Sequence, residues 1–260
     1  MATDPQLPAD EAPLDAATVD LFLSNMGSDM VLVGGQALAF WMDRFGITAE
    51  GAVVSNDGDA LGHAARARDL AREMRARLVQ PKKASRTAIV AQLRLPVGDG
   101  KERNIDILHQ LYTINGLRKS NEFTAKVVQD SVLVEWRKDR FIRVMDPFDL
   151  LESRTQNAVG LLDEKGPHVL TQATWAIHVA KAALMKLAAD PASPDRLGNK
   201  IQRLYKLAHS QVGKRLLADH HIDVLDAIDV DALSTNSPAH APQLDAVAKA
   251  RAKRTKPGAT

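Results

Sequence analysis

The chain has 260 residues and a formal net charge of +2, from 34 Lys and Arg against 32 Asp and Glu, which argues against a protein dedicated to coating a polyanion. It contains no cysteine, which excludes disulfides, thiol nucleophiles and the zinc or iron–sulfur sites that need cysteine. No apolar run approaches the roughly 20 residues of a membrane span. Residues 1–30 hold six acids and no Lys or Arg, the reverse of the charge pattern of a signal peptide. We therefore expect a cytoplasmic protein with no membrane contact.

The first part of the chain alternates helices and short strands. A Pro- and Asp-rich start leads into a predicted amphipathic helix at 15–26, and together they form an N-terminal segment, residues 1–29. The apolar run at 31–33, ended by Gly34 and Gly35, predicts a buried strand. The residues that follow predict a helix at 36–45, a strand at 53–61 and a helix at 63–78.

Residues 87–145 are predicted to be mainly β. The segments 87–97 and 103–109 flank Gly98-Asp99-Gly100-Lys101, a strong turn, and predict a hairpin. Further strands are predicted at 124–129, 131–136 and 140–145. After Asp146-Pro147 the pattern becomes helical, with predicted helices at 147–163, 169–189, 195–209 and 211–233.

This order predicts an α+β fold: a small mixed β-sheet core with flanking helices, followed by a C-terminal α-helical domain. We place the α/β domain at residues 30–145 and the helical domain at 146–235. The alternative is one mixed-sheet domain with a helical cap. Residues 236–260 are predicted to be a flexible, basic tail, because the last fifteen positions carry five Lys and Arg and no acid.

Two glycines and three carboxylates stand out as candidate site residues. The sequence has no P-loop, G-x-S-x-G, HExxH or complete GxGxxG motif. Gly34 and Gly35 link a strand to a helix, where free backbone N–H groups and missing side chains favour a phosphate. Asp57 and Asp59, two apart on a strand, point to one face, and a hard divalent cation relieves their repulsion. Asp106, on an apolar strand, can supply a third carboxylate.

Together these segments resemble a known superfamily. VLVGGQALAFW (31–41), SNDGD (55–59) and NIDIL (104–108) are similar to the motifs of the nucleotidyltransferases related to DNA polymerase beta. The pattern Asp-Pro-x-Asp-Leu-Leu-x-Ser-Arg-x-x-Asn at 146–157 extends the resemblance to a bacterial group often linked with abortive infection and toxin–antitoxin systems. The resemblance covers roughly residues 30–190.

The resemblance implies an enzyme that moves a nucleoside monophosphate from an NTP to an acceptor hydroxyl. The catalytic residues, which would also hold Mg²⁺ or Mn²⁺, would be Asp57, Asp59 and Asp106. The triphosphate would be held by Gly34, Gly35 and Ser55, and its charge would be offset by Lys82, Lys83 and Lys181. The expected partners are an NTP, an acceptor that is RNA, protein or a small molecule, and a cognate antitoxin.

One departure from the family pattern keeps other functions open. Gly58, between the two acids, stands where a β-forming residue such as Ile is usual, and a glycine weakens a strand and leaves a gap. One alternative is therefore a catalytically impaired module of the same fold that binds a nucleotide or a partner. Another is a helical interaction protein in which the α/β part is a scaffold.

Each feature also has a purely structural interpretation. Gly34-Gly35 and Asp57-Gly58-Asp59 are typical of ordinary turns, Arg154 of a salt bridge or cap, and Lys181 of a solvated helix face. Residues 64–103 carry eleven Lys and Arg against four acids. That block is either a solvated helix face or a surface that holds a nucleotide or RNA, and the same choice applies to the basic tail.

Overall fold

The computed structural model describes residues 10–48, 56–82, 87–190 and 194–254. The strands in these ranges are β1 (Val31–Val33), β2 (Gly58–Leu61), β3 (Arg77–Val79), β4 (Ile89–Gly98), β5 (Lys101–Leu108), β6 (Val132–Arg137) and β7 (Arg140–Val144). The helices are α1 (Ala16–Asn25), α2 (Gly34–Arg44), α3 (Ala64–Glu73), α4 (Leu117–Asp130), α5 (Pro147–Gly160), α6 (Leu162–Lys165), α7 (His168–Ala188), α8 (Pro194–His209), α9 (Gln211–His220), α10 (Val230–Asn236) and α11 (Ala241–Arg254). None of these helices combines the length and the apolar character needed to cross a bilayer.

The strands form one mixed sheet in the order β3-β4-β5-β2-β1-β7-β6. At its centre, β2 runs antiparallel to β1 and parallel to β5. The antiparallel hairpins β4-β5 and β6-β7 extend the sheet on the two sides, and β7 joins β1 in parallel. The prediction of a mixed sheet followed by helices is therefore confirmed. The topology also makes β1, β2 and β5 neighbours, so it gathers the segments that carry the candidate residues.

Turn chemistry explains the two hairpins. Gly98, Asp99 and Gly100 all have positive φ, at 93°, 51° and 74°, a conformation that glycine adopts freely and that Asp tolerates better than most residues. The predicted hairpin over 87–109 is thereby confirmed as β4-β5. Asp139, with φ of 61°, makes the corresponding turn of β6-β7, whose strands the sequence also predicts.

The C-terminal helices pack directly on the α/β part. Helix α5 begins with Asp146 as its N-cap, whose carboxylate accepts a hydrogen bond from the Phe148 N–H at 2.9 Å, followed by Pro147 in the first turn. Helix α7 buries small residues, such as Ala176 and Ala180, and contacts both α2 and α5. One continuous hydrophobic cluster extends from α1 through the sheet to α11. The helical part therefore shares a core with the sheet.

The helix predicted at 211–233 is divided in the structure, ending as α9 at His220 and resuming as α10 at Val230. Four other local predictions also differ from the structure. The predicted strand at 124–129 lies inside α4, whose buried positions follow helical spacing. The helix predicted at 63–78 ends as α3 at Glu73, and 77–79 form strand β3. The strand predicted at 53–61 begins only at Gly58, and 53–55 lie outside the described residues.

The fourth difference is the tail. Instead of a flexible segment from residue 236, the structure has helix α11, which buries Leu244, Val247 and Ala250. Arg254 at its end forms an ion pair with Asp223. The basic residues therefore belong to a packed amphipathic helix as far as residue 254, and residues 255–260 lie outside the described ranges.

Candidate functional site

Two of the three predicted carboxylates lie side by side on neighbouring strands. Asp59 in β2 is the register partner of Asp106 in β5. Because partnered residues of two parallel strands point to the same face, both side chains leave the sheet on one side. Asp57 lies in the bend that leads into β2, two residues before Asp59. The chain thus brings all three predicted acids to one end of β2.

Asp59 also contacts the start of helix α2. Val33 pairs with Asp59 across β1 and β2, and the next residue, Gly34, has a φ of +68°. A Cβ on Gly34 would overlap the Asp59 carboxylate, so the contact as well as the backbone conformation requires glycine. The N-cap of α2 is apolar and makes no side-chain hydrogen bond. No side chain of the described residues caps the N–H groups in the first turn of α2. These groups lie beside Asp59, where they can bind an anion.

Gly58 points to the opposite face, and its missing side chain leaves no gap there. A Cβ at position 58 would lie 3.1 Å from Ile105 Cγ1 and 3.3 Å from Leu14 Cδ1. Leu14 comes from the segment before α1, and its N–H donates to the Asn56 carbonyl at 3.0 Å. The prediction of a gap at Gly58 is therefore wrong, because Leu14 of the N-terminal segment fills the space. The same segment is hydrogen-bonded to the bend beside Asp57.

Burial raises the pKa of all three carboxyl groups. The pKa of Asp59 is raised to about 6, first by burial and then by the charge of Asp106. The pKa of Asp57 is raised by burial and, to a lesser degree, by Asp106. Burial also raises the pKa of Asp106, although a hydrogen bond from Gln92 favours its ionised form. The site therefore concentrates negative charge that is poorly solvated, a condition that a cation relieves.

Polar side chains that begin with Gln92 on β4 orient Asp106, and no sequence pattern indicates them. Gln92 is the register partner of Asp106 on β4, and its Nε2 donates to Asp106 Oδ1 at 2.9 Å. Arg94 Nε donates to Gln92 Oε1 at 2.5 Å, which fixes the orientation of the amide. Glu102 in turn accepts from Arg94 at 3.4 Å. Only the register of the hairpin could have identified Gln92, because alternation in 87–97 predicts a strand without singling out any residue.

Two basic side chains from the helical part act on the acids. Lys165, exposed at the end of α6, lowers the pKa of each of the three carboxyl groups through its charge. Arg154 on α5 is buried and acts on Asp59. Arg154 donates to Gln172 at 3.0 Å and to Ser153 at 3.2 Å, while its Nε has no partner in the described part of the chain. Arg154 lies within the family-like segment 146–157, whereas nothing in the sequence pointed to Lys165.

The predicted phosphate-binding lysines are not gathered at the carboxylates. Lys181 on α7 forms an ion pair at 2.9 Å with Asp229, the N-cap of α10, so it serves the packing of the helical part instead. Lys82 is exposed, beyond the end of β3. Ser55 and Lys83 lie outside the described residues. Of the predicted nucleotide-binding residues, the structure thus places Gly34 at the carboxylates, with Gly35 buried next to it in the first turn of α2.

The arginines in the basic block at 64–103 are largely paired with acids. Arg66 pairs with Glu73 at 3.2 Å, and Arg72 pairs with Asp69 at 2.7 Å. On the sheet, Glu102 receives both Arg77 and Arg94. These pairs favour the interpretation as a solvated face with internal ion pairs over a surface that holds RNA.

The chemistry of the donor set fits a hard divalent cation, because Mg²⁺ and Mn²⁺ prefer carboxylate oxygens. Within residues 10–48, 56–82, 87–190 and 194–254, however, no group of three or more Asp, Glu or His side chains is arranged to hold a metal ion. Asp59 and Asp106 form a register pair on the sheet, and Asp57 lies in the bend that leads into β2. The ligand trio therefore stays a prediction.

In comparisons with known proteins, no family model and no curated protein matches the chain.

Proposed function

We propose that the protein is a metal-dependent nucleotidyltransferase. The observation that carries the proposal is the register pairing of Asp59 with Asp106 beside the glycine start of helix α2. A carboxylate pair suits a cation, and the uncapped N–H groups of a helix start suit an anion. A metal–triphosphate complex needs both kinds of site at one place.

In the proposed reaction, the acceptor hydroxyl oxygen forms a bond to the α-phosphorus of an NTP as the bond from that phosphorus to pyrophosphate breaks. Asp57, Asp59 and Asp106 would hold Mg²⁺ or Mn²⁺, and the ion would neutralise charge on the phosphates. Asp106, whose pKa is raised by burial, is suited to take the proton of the acceptor hydroxyl. Gly34 and Gly35 would hold the phosphates through their backbone, and Lys165 and Arg154 take the charge-offsetting role predicted for Lys181.

The proposed partners follow from the resemblance of the motifs. They are an NTP, an acceptor that is RNA, protein or a small molecule, and a cognate antitoxin if the protein acts in a toxin–antitoxin or phage-defence system. The acceptor is the first of these to establish, because it defines the reaction.

Label transfer tests the proposal directly. The purified chain is incubated with each α-labelled NTP, Mg²⁺ or Mn²⁺, and total cellular RNA and protein. We expect labelled product, and we expect Asp59→Asn and Asp106→Asn each to reduce labelling by at least about 100-fold, because even partners outside a metal's ligand shell are worth 10- to 100-fold. The control is Asp99→Asn, the same change at an exposed hairpin turn. Activity that both site variants retain, with circular dichroism showing them folded, would disprove the assignment.

A module that binds a nucleotide or a partner without turnover is the second candidate. The observation that favours it is that the acids of the described residues do not form a three-ligand group. Calorimetry separates the two candidates, because Mg²⁺-dependent NTP binding without any label transfer supports the binding module. If no NTP binds or reacts, the result would support the third interpretation, a helical interaction protein in which the α/β part is a scaffold.

A further inference from the structure

A cavity between three C-terminal helices plays no part in the proposed reaction. It has a volume of about 780 Å³ and lies where α8, α9 and α11 meet. That volume falls within the range of small-molecule sites in proteins. Its walls combine cations, small apolar side chains and aromatic rings.

Helices α9 and α11 line the cavity with faces of the same pattern. The lining positions 214, 217, 218 and 221 of the α9 segment, and 246, 249, 250 and 253 of α11, each follow the spacing i, i+3, i+4, i+7 of one helix face. Leu217 and Ala218 on one face and Ala246 and Ala250 on the other provide an apolar floor. The small alanines leave room between the helices, which is why a cavity exists there.

The charged side chains that line the cavity are all basic. Lys214, Lys249 and Lys253 are exposed at its edge, and none of them forms an ion pair with another described residue. Arg254 also lines the cavity but is bound by Asp223. No Asp or Glu is among the described lining residues. An anionic ligand would therefore meet three lysines that form no ion pair within the described part of the chain.

Aromatic rings from α8 form the remaining wall. Tyr205 and His209, one helical turn apart, stack with 4.2 Å between their ring centroids. The Nδ1 of His209 lies 2.8 Å from the Tyr205 carbonyl oxygen, so Nδ1–H donates and holds the imidazole in place. Stacked rings of this kind offer a flat π surface, and nucleobases stack on such surfaces without regard to sequence.

We propose that this cavity binds a phosphorylated nucleoside, either free or as part of a single-stranded RNA. The base lies against Tyr205 and His209 over the apolar floor, and the phosphates contact Lys214, Lys249 and Lys253. An acidic peptide would satisfy the lysines but makes no use of the stacked rings. The inference goes beyond the proposed transfer reaction, because it uses none of the carboxylates.

Fluorescence anisotropy tests the site with the full chain and a labelled single-stranded RNA of about 12 nucleotides, within the range of known single-strand sites. The titrations are done in EDTA, at salt concentrations from about 0.05 M to about 0.2 M. The double variant K249Q/K253Q should weaken binding by about tenfold or more and make the salt dependence shallower. The control K101Q/K138Q removes the same charge from exposed positions on the sheet and should change binding by less than about twofold. Tyr205→Leu should weaken binding by about tenfold through lost stacking.

Competition with unlabelled AMP identifies the source of the nucleotide. If AMP displaces the RNA, the site takes a free nucleotide, and if only RNA competes, the site takes a residue of an RNA chain. The proposal is overturned if neither ligand binds, if K249Q/K253Q and K101Q/K138Q weaken binding equally, or if a glutamate-rich peptide competes as well as RNA does. Because no NTP or divalent cation is present, failure here leaves nucleotidyl transfer untouched, and failure of transfer leaves this binding untouched.

Discussion

Among single residues, Gly34 carries two constraints and Gly46 carries only one of them. Both have a positive φ, +68° and +64°, but a Cβ on Gly34 would overlap Asp59 while a Cβ on Gly46 meets nothing within 4 Å. Gly46→Ala should therefore cost only backbone strain, about 1–2 kcal/mol. Gly34→Ala should cost that strain and the displacement of Asp59, in total about 3 kcal/mol or more. Urea denaturation measures both, and equal losses would show that Asp59 does not need the space.

The Asp59 carboxyl makes stability depend on pH. Its pKa is raised from 3.8 to about 6 in the folded chain, mainly by burial. Between these two values the folded chain keeps a proton that the unfolded chain has released. The free energy of unfolding should thus fall as the pH rises from about 4 to about 6, by at most about 3 kcal/mol from this group.

Asp59→Asn tests this dependence, because an amide does not titrate. The variant should show a shallower fall in stability over the same pH range and should be more stable than the wild type at pH 7. Part of the slope should remain, since burial also raises the pKa of Asp57 and of Asp106. A variant whose stability follows the wild-type curve across this range would show that Asp59 does not cause the dependence.

The sequence could predict the residues whose chemistry is local to one motif. Gly34, Asp57 and Asp59 belong to short segments in which residue type and spacing already indicate a phosphate or a cation. Gln92 and Lys165 reach the same place only through hairpin register and helix packing. Neither of those is encoded within a short window of the chain, so no local pattern could have identified them.

At the scale of elements, Asp149 joins helix α5 to its neighbours. The carboxylate is fully buried and accepts from Lys126 of α4 at 2.6 Å and from Arg203 of α8. Lys126 also pairs at 2.7 Å with Asp130, one turn further along α4 at the surface. Asp149→Ala should cost about 3 kcal/mol, the low end for breaking a buried ion pair, because Lys126 and Arg203 are only partly buried and each keeps another carboxylate.

Asp130→Ala is the matched control, since the same lysine loses its other partner. The pair is partly exposed and spaced i, i+4 within one helix, so its loss should cost less than about 1 kcal/mol. Guanidinium denaturation of the two variants compares the two partners of Lys126. Similar losses would mean that burial of Asp149 adds nothing to the junction of α4, α5 and α8.

Elements were predictable where turns mark them and less so where composition misleads. The β4-β5 hairpin followed from its Gly-Asp-Gly turn. Residues 124–129 suggested a strand because Thr124, Val127 and Val128 favour β structure, yet Phe123 and Val127 are buried at helical spacing in α4. The sequence predicts a flexible tail where α11 lies because lysines and arginines dominate its composition. Only three apolar residues form the buried face of this helix.

For the whole molecule, the two parts share one core and complete one site. Helix α2 starts at the carboxylates, packs against α5 and α7, and is tied to the sheet by Trp41, whose Nε1 donates to the Met145 carbonyl at 2.8 Å. Arg154 and Lys165 come from the helical part but act on acids of the sheet. Their positions therefore depend on both parts being folded together.

This shared core predicts a single cooperative unfolding transition rather than separate transitions for residues 30–145 and 146–235. Trp41 and Trp136 lie in the α/β part and Trp175 lies in α7. In Trp175→Phe, fluorescence reports only on the α/β part. Far-ultraviolet circular dichroism is dominated by helices, and most helical residues lie in α5 to α11. We expect the two signals to change at the same denaturant concentration. Two distinct midpoints would show that the parts fold independently, and the basic residues would then not be held at the carboxylates by a common core.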